Sequence, residues 1–210
     1  MDHFTPKLWL GMTATPDKRD DNVEGRNVYE IFNYQIAYEI RLQQAMEENL
    51  LCPFHYFGIT DLSMIGDEEA ARDFNMLTSD ERVRHIVNQA DYYGYSGDKV
   101  KGLIFCSNIK ETEELSAKFN QIINPATGKN FRTVALNGSA SEQERQDAFE
   151  RLAMNEDESS EDRQPLDYIF SVEILNEGVD IVEVNQVIML RPTQSPIVFI
   201  QQLGRGVRKA

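Results

Sequence analysis

Basic side chains are in short supply. Lys and Arg number 21 against 35 Asp and Glu, a formal net charge of -14 over 210 residues. So acidic a chain exerts no bulk attraction on a polyanion, and any nucleic-acid binding must come from a local site or a partner domain. Cysteine is nearly absent. Cys52 and Cys106 stand far apart, with no CxxC and no Cys/His cluster, which excludes a disulfide framework and a zinc site. Both read as small core hydrophobes. The three histidines, His3, His55 and His85, are scattered and read as structural or surface residues. No apolar run approaches the roughly 18 residues of a membrane span, and MDHFTPKLWLGM is too short and mixed for a signal peptide, so the expectation is a cytoplasmic protein with no membrane partner. Two glycine-rich loops are missing as well. Neither G-x-x-x-x-G-K-[ST] nor G-x-G-x-x-G occurs, so the chain carries no P-loop phosphate cradle and no Rossmann fingerprint.

What is present is ordinary globular material, 41% hydrophobic and 27% charged, which suits one domain with appendages. The run KLWLGMTATP (7–16) reads as a buried strand feeding a loop, followed by a charged stretch from Asp17 to Gly25. YQIAYEI (34–40) alternates like a strand, RLQQAMEEN (41–49) reads as a short helix, and LLCPFHYFGITDL (50–62) is aromatic and β-rich. Thr78 with Glu81 suggests a capping box for a helix that carries Val83, Ile86 and Val87 and fades near Gly94. From residue 100 the pattern turns regular. Strands are expected at 100–107, 131–138, 166–172 and 185–192. Between them lie a helix boxed by Asn108 and Glu111, with Leu115, Phe119, Ile122 and Ile123 on one face, and a helix opened by Ser141 and Glu144, with Ala148, Phe149 and Leu152. Strands alternating with such helices mean βαβ units, hence an α/β fold with a parallel sheet covered on both faces. NEDESSEDRQP (155–165) packs five carboxylates into seven positions and reads as a solvated acidic loop, the sharper alternative being a partner-binding tract.

In open parallel sheets ligands gather beyond the carboxyl ends of the strands. Four spots fall there: Ser107 and Asn108, Asn137 and Gly138, Ser171 with the loop EILNEGVDI, and Arg191 with Pro192. Each alone also reads as a helix cap or turn. Together they would line one edge, where hydroxyls, amides and helix N-termini suit phosphate oxygens. Within NEGVDI, Gly178 permits close ligand approach and Asp180 can accept from a ribose hydroxyl or an ordered water, although a plain turn would look the same. The closing segment PIVFIQQLGRGVRKA (196–210) carries Ile197, Ile200, Leu203 and Val207 at helical spacing, with Gln201, Arg205 and Arg208 on neighbouring faces. Two guanidiniums three residues apart could clamp charge developing on a transferring γ-phosphate; two surface arginines would look alike.

Taken in order, these residues resemble the second half of a superfamily 2 helicase. TAT (13–15) resembles motif III, LIFCSN (103–108) motif IV, LNG (136–138) the segment before the next helix, SVEILNEGVDI (171–181) motif V, and QQLGRGVR (201–208) the motif VI pattern Q-x-x-G-R-x-x-R. MLRPTQSPIVFIQQLGRGVR is especially similar to the type I/III restriction-enzyme and excision-repair branch. The resemblance implies a RecA-like lobe at 35–210, with residues 1–34 as the end of a first lobe and linker. It implies that Arg205 and Arg208 act as arginine fingers with Gln201 in their network, and that Gly178 and Asp180 meet the nucleotide. Ser107, Asn108, Asn137, Gly138 and Ser171 would grip a nucleic-acid strand, and Thr13 and Thr15 would couple the lobes. The implied cofactor is ATP with Mg2+, the metal ligands lying outside this chain; the implied partners are the first lobe and DNA, with RNA as the alternative. The family's phosphate loop and acidic metal-holding motif are absent, and DEEA at 67–70 follows TAT instead of preceding it and ends in Ala, so it reads as a helix start. The expectation is therefore a piece of a longer protein, nearly inert alone. Two other readings stay open: a non-catalytic RecA-like interaction module, consistent with the acidic charge, and a Rossmann-type α/β enzyme, disfavoured by the missing G-x-G-x-x-G.

Overall fold

A computed structural model describes residues 7–12, 28–50, 54–59, 74–172 and 184–190. Contacts divide the chain into two units, Met1–Asn49 and Leu50–Ala210. In the first, two short helices, α1 (Val28–Ile31) and α2 (Leu42–Glu47), are joined through a turn in which Asn33 and Tyr34 take φ of 51 and 57°. The strands expected over 7–16 and 34–40 do not form among the described residues: 7–12 and 34–40 are irregular, and Leu8 and Met12 are 84% and 90% exposed. A strand is held by a hydrogen-bonded neighbour, and no described residue of this unit pairs with either run.

The second unit holds the sheet. Four strands, β1 (Gly102–Phe105), β2 (Thr133–Leu136), β3 (Tyr168–Ser171) and β4 (Gln186–Met189), lie in the order β2-β3-β1-β4 with all pairings parallel. Besides α3 (Phe74–Leu77), three longer helices flank them: α4 (Asp80–Tyr93), α5 (Ile109–Phe119) and α6 (Glu142–Ala153). The α/β expectation is met, and all four strands of the regular region are found. Details of the ends differ. The α4 cap is Ser79, not Thr78: its Oγ accepts from the Arg82 amide at 3.2 Å, which places Asp80 and Glu81 in the first turn, where carboxylates favour the helix dipole. Gly94, at φ 67°, ends α4 as expected. Helix α5 stops at Phe119, short of Ile122 and Ile123, because the Asn120 side chain leaves the helix for β2: its Oδ1 accepts from the Thr133 amide at 2.7 Å and its Nδ2 donates to the Thr133 carbonyl at 3.2 Å. Ile122 still packs on the core, but Ile123 is 61% exposed. The expected β character of 50–62 is not seen in its described part, where 54–59 is irregular.

Alternation along the strands builds a core on each face of the sheet. Ile104, Cys106, Tyr168 and Phe170 meet Val83, Ile86 and Val87 of α4 and Leu115 and Phe119 of α5. Leu103, Phe105 and Ile169 meet Ala148 and Leu152 of α6. Each buried Val, Leu, Ile or Phe among them contributes about 1.5–3 kcal/mol. Cys106 is a core residue, as expected; Cys52 lies outside the described residues. The acidic segment is exposed, with one 3-10 turn at Glu156–Glu158, and is pinned by Arg132 from outside, paired with Glu156, and by its own Arg163, which reaches Asp147 and Glu150 of α6. Among the described residues no helix is long and apolar enough to cross a membrane.

Candidate functional site at the carboxyl edge of the sheet

The strand register decides which sequence-distant residues meet. Ser171 is the partner of Phe105 on one side and of Leu136 on the other, and Phe105 is in turn the partner of Met189. The strands therefore end at one level. Ser107 and Asn108 follow β1, Asn137 and Gly138 follow β2, and Ser171 closes β3, so the five residues expected to form a grip share the carboxyl edge. The level is held past the strand ends, where the Cys106 amide donates to the Ser171 carbonyl at 2.8 Å and the Leu190 amide to the Phe105 carbonyl at 2.9 Å.

Each of the five is placed differently. Ser107 is exposed, with its amide donating to Glu111 Oε2 at 2.7 Å. Asn108, also exposed, caps α5: its Oδ1 accepts from the Glu111 amide at 2.9 Å and its carbonyl from Thr112 Oγ1 at 2.8 Å. Asn137 is committed locally, its Oδ1 accepting from Ser139 N at 2.9 Å and Ser139 Oγ at 2.6 Å while Nδ2 donates to Glu113 at 3.3 Å. Gly138 is exposed, and a Cβ built on it would meet nothing within 4 Å, so the fold does not demand glycine there; its absent side chain leaves the edge bare for a close approach. Ser171 is fully buried and its Oγ has no partner among the described residues.

Glu111 is the hub of this edge, a role that the spacing of Asn108 and Glu111 foretold only in part. The expected box would return the Glu111 carboxylate to the cap residue. Instead one oxygen accepts from the Ser107 amide and the other from Arg82 Nη1 of α4 at 2.8 Å, with both charged side chains buried. By contrast Ser141 and Glu144 form the full reciprocal box on α6, and those hydrogen bonds from Ser141 hold the Glu144 carboxyl below its ordinary value. Burial pushes the Cys106 thiol up, which removes it as a nucleophile despite its place beside Ser107.

From Asn137 an open cleft of about 730 Å³ runs along β2 and α6, lined by Ser139, Ser141, Glu144, Asp147 and Arg151 among others. Two residues here escaped sequence reasoning. Ser139 presents a hydroxyl beside Gly138, and Arg145, a turn into α6, donates Nη2 to the Gly138 carbonyl at 3.4 Å. The signal for Arg145 is its position four residues after the Ser141 cap, in the first turns of a helix that starts at the edge. Among the described residues no group of three His, Cys, Asp or Glu could hold a metal ion. Thr13, Thr15, Gly178, Asp180, Arg191, Gln201, Arg205 and Arg208 lie outside the described residues.

The family model of the helicase conserved C-terminal domain matches residues 81–210. No curated protein matches the chain. Among solved structures, a fragment described as an HsdR subunit of a type I restriction enzyme from Vibrio vulnificus YJ016 superimposes with a TM-score of 0.68 at 21% identity, over 95% of this chain and 36% of that one. The ATP-dependent Type ISP restriction-modification enzyme LlaBIII, bound to DNA, gives 0.58 at 20% identity, over 86% of this chain and 13% of that one. The chain thus spans about a third of the first structure's length and an eighth of the second's. At these identities the likeness is one of fold.

Proposed function

Because the chain belongs to the helicase conserved C-terminal domain family, we propose that residues 35–210 are the second RecA-like lobe of an ATP-dependent DNA helicase or translocase, and that the carboxyl edge of its sheet grips one nucleic-acid strand. The observation that carries the grip is the register: Phe105, Leu136 and Ser171 end three parallel strands at one level, so Ser107 after β1 and Gly138 and Ser139 after β2 lie on the same edge, on either side of the end of β3. The exposed Ser107 hydroxyl and the bare Gly138 on one edge suit a sugar-phosphate backbone, which offers acceptors and needs close approach but no base reading. Arg145 supplies the positive charge that the acidic chain as a whole lacks.

Residues 1–34 belong in this reading to the end of the first lobe and the linker, with Thr13 and Thr15 coupling the lobes. That first lobe carries the phosphate loop and the Mg2+ ligands. The donor chemistry at the other end of the chain fits a triphosphate: the guanidinium forks of Arg205 and Arg208 match phosphoryl oxygens, Gln201 joins their network, and Gly178 and Asp180 meet the sugar or the attacking-water network. ATP bound there supplies the free energy of γ-phosphoryl hydrolysis. The chain's own contribution is to bring two cations to the γ-phosphate and to move the strand grip with the lobe. The restriction-enzyme fold likeness favours DNA as the strand.

Anisotropy of a fluorescein-labelled (dT)20 strand titrated with the 210-residue chain tests the grip. Binding should weaken with salt, and Arg145→Ala should lower affinity about tenfold and flatten the slope of log K against log salt by about 0.7, the worth of one single-strand phosphate contact. Binding that ignores both salt and Arg145 contradicts the grip.

A further inference from the structure

Burying an ion pair is expensive, and a buried pair is weak grounds for stability, since apolar replacements of similar volume often do as well or better. The Arg82–Glu111 pair is an extreme case, with side-chain exposures of 1% and 0%. Nor is it a simple bridge between two helices. Arg82 Nη1 also donates to the Leu77 carbonyl ahead of α4, and the far oxygen of Glu111 takes the Ser107 amide at 2.7 Å. The chain of contacts runs from the start of α4 to the first residue past β1, and its outer end is an exposed residue of the edge. Glu111 also sits in the first turn of α5, so its carboxylate occupies the anion-favouring end of that helix, and Arg82 neutralises it.

We infer that Arg82 and Glu111 are positioning residues for the strand grip: the carboxylate fixes the Ser107 backbone by taking its amide inward, leaving the exposed hydroxyl as the group offered to a strand. This rests on the reading of the edge as a nucleic-acid grip. The Ser107 and Glu111 amides are both spent internally, so the contact that Ser107 itself offers a phosphate passes through its hydroxyl.

The discriminating variant is Arg82→Met with Glu111→Met. It leaves net charge unchanged and replaces the pair with apolar groups of similar length, so the folded state should survive, yet it removes the acceptor that the Ser107 amide has among the described residues. Circular dichroism and thermal melting establish the fold, and (dT)20 anisotropy reads the grip. The expected result is a folded double variant whose affinity falls about tenfold. A role in stability alone predicts a folded double variant that binds as tightly as the unsubstituted chain, and that result overturns the inference. Should the double variant fail to fold, Glu111→Gln takes its place. Loss of a negative charge near the strand would by electrostatics alone tighten binding, whereas loss of an acceptor shared by two donors should weaken it several-fold and shift the Ser107 amide resonance; tighter binding with that resonance unmoved overturns the inference. If the unsubstituted chain does not bind (dT)20 at all, the grip reading itself fails and this inference with it, an outcome distinct from equal binding by parent and variant.

Discussion

Lys99 lies at the edge of the sheet opposite the grip and is half-buried. Its Nζ donates to the Met154 carbonyl at 3.0 Å, and Lys101 does the same to Ala153 at 2.6 Å, so two ammonium groups close the carboxyl end of α6. Burial lowers the Lys99 pKa from 10.5 to about 8, against the pull of Asp167 and Glu156 and with help from Arg132 and Lys101. Burial acts on Asp167 in the opposite sense and raises its pKa. For Lys99 the sign of the linkage follows directly. Between pH 8 and 10.5 the unfolded chain holds more protons at this site than the folded one, so its contribution to stability rises with pH through that window and is least below it. Thermal melts of Lys99→Met between pH 7 and 10.5 should show a flatter rise than those of the unsubstituted chain. Matching slopes would place Lys99 in water in the folded protein.

At the scale of elements, β1 is threaded between its neighbours by one missing side chain. Gly102 is the register partner of both Tyr168 on β3 and Gln186 on β4, and a Cβ on it would stand 2.2 Å from the Tyr168 ring. The ring crosses the strand there. Its hydroxyl donates to Gln186 Oε1 at 2.6 Å, and Gln186 Nε2 donates to the Ala90 and Gly94 carbonyls at the end of α4. Gly102→Ala must push the ring aside and break this tie, at a cost of about 1–3 kcal/mol. Urea unfolding measures it, and a neutral Gly102→Ala would mean that the ring has room to move. The same elements show what sequence could and could not carry. Periodicity located β1 to β4 and the helices between them, because their apolar residues recur at the spacing that feeds one core or the other. It misjudged 34–40 and the described part of 7–16, residues 7–12, whose apolar patterns are equally clear, because a strand depends on a partner that no local pattern reveals. It placed the α5 end too late, because Asn120 is drawn out of the helix by β2, and the α4 cap one residue early, because Thr78 and Ser79 are both competent caps. That Ser107, Asn108, Asn137, Gly138 and Ser171 share one edge was legible, since parallel topology alone sends strand ends there. The Arg82–Glu111–Ser107 chain was not, for its two charges stand 29 residues apart and meet only once α4 and α5 share a face of the sheet.

For the whole molecule the acidic charge sets the terms. A chain of net charge -14 repels a polyanion at a distance, so a strand can be held only where local groups outweigh that field, and in the proposed grip that task falls to Arg145 at the carboxyl edge. Membership in the helicase C-terminal domain family accords with the parallel sheet and with the regular βαβ pattern from residue 100 onward. The reading stands or falls on whether this lobe completes a nucleotide pocket in a partner lobe. ATP hydrolysis by the two-lobe protein under saturating single-stranded DNA, with Arg205→Ala set against the unsubstituted enzyme, measures that most directly. A fall in kcat of about 10³ or more, with folding intact, is the predicted result; an unchanged rate would contradict it and leave the lobe a non-catalytic interaction module.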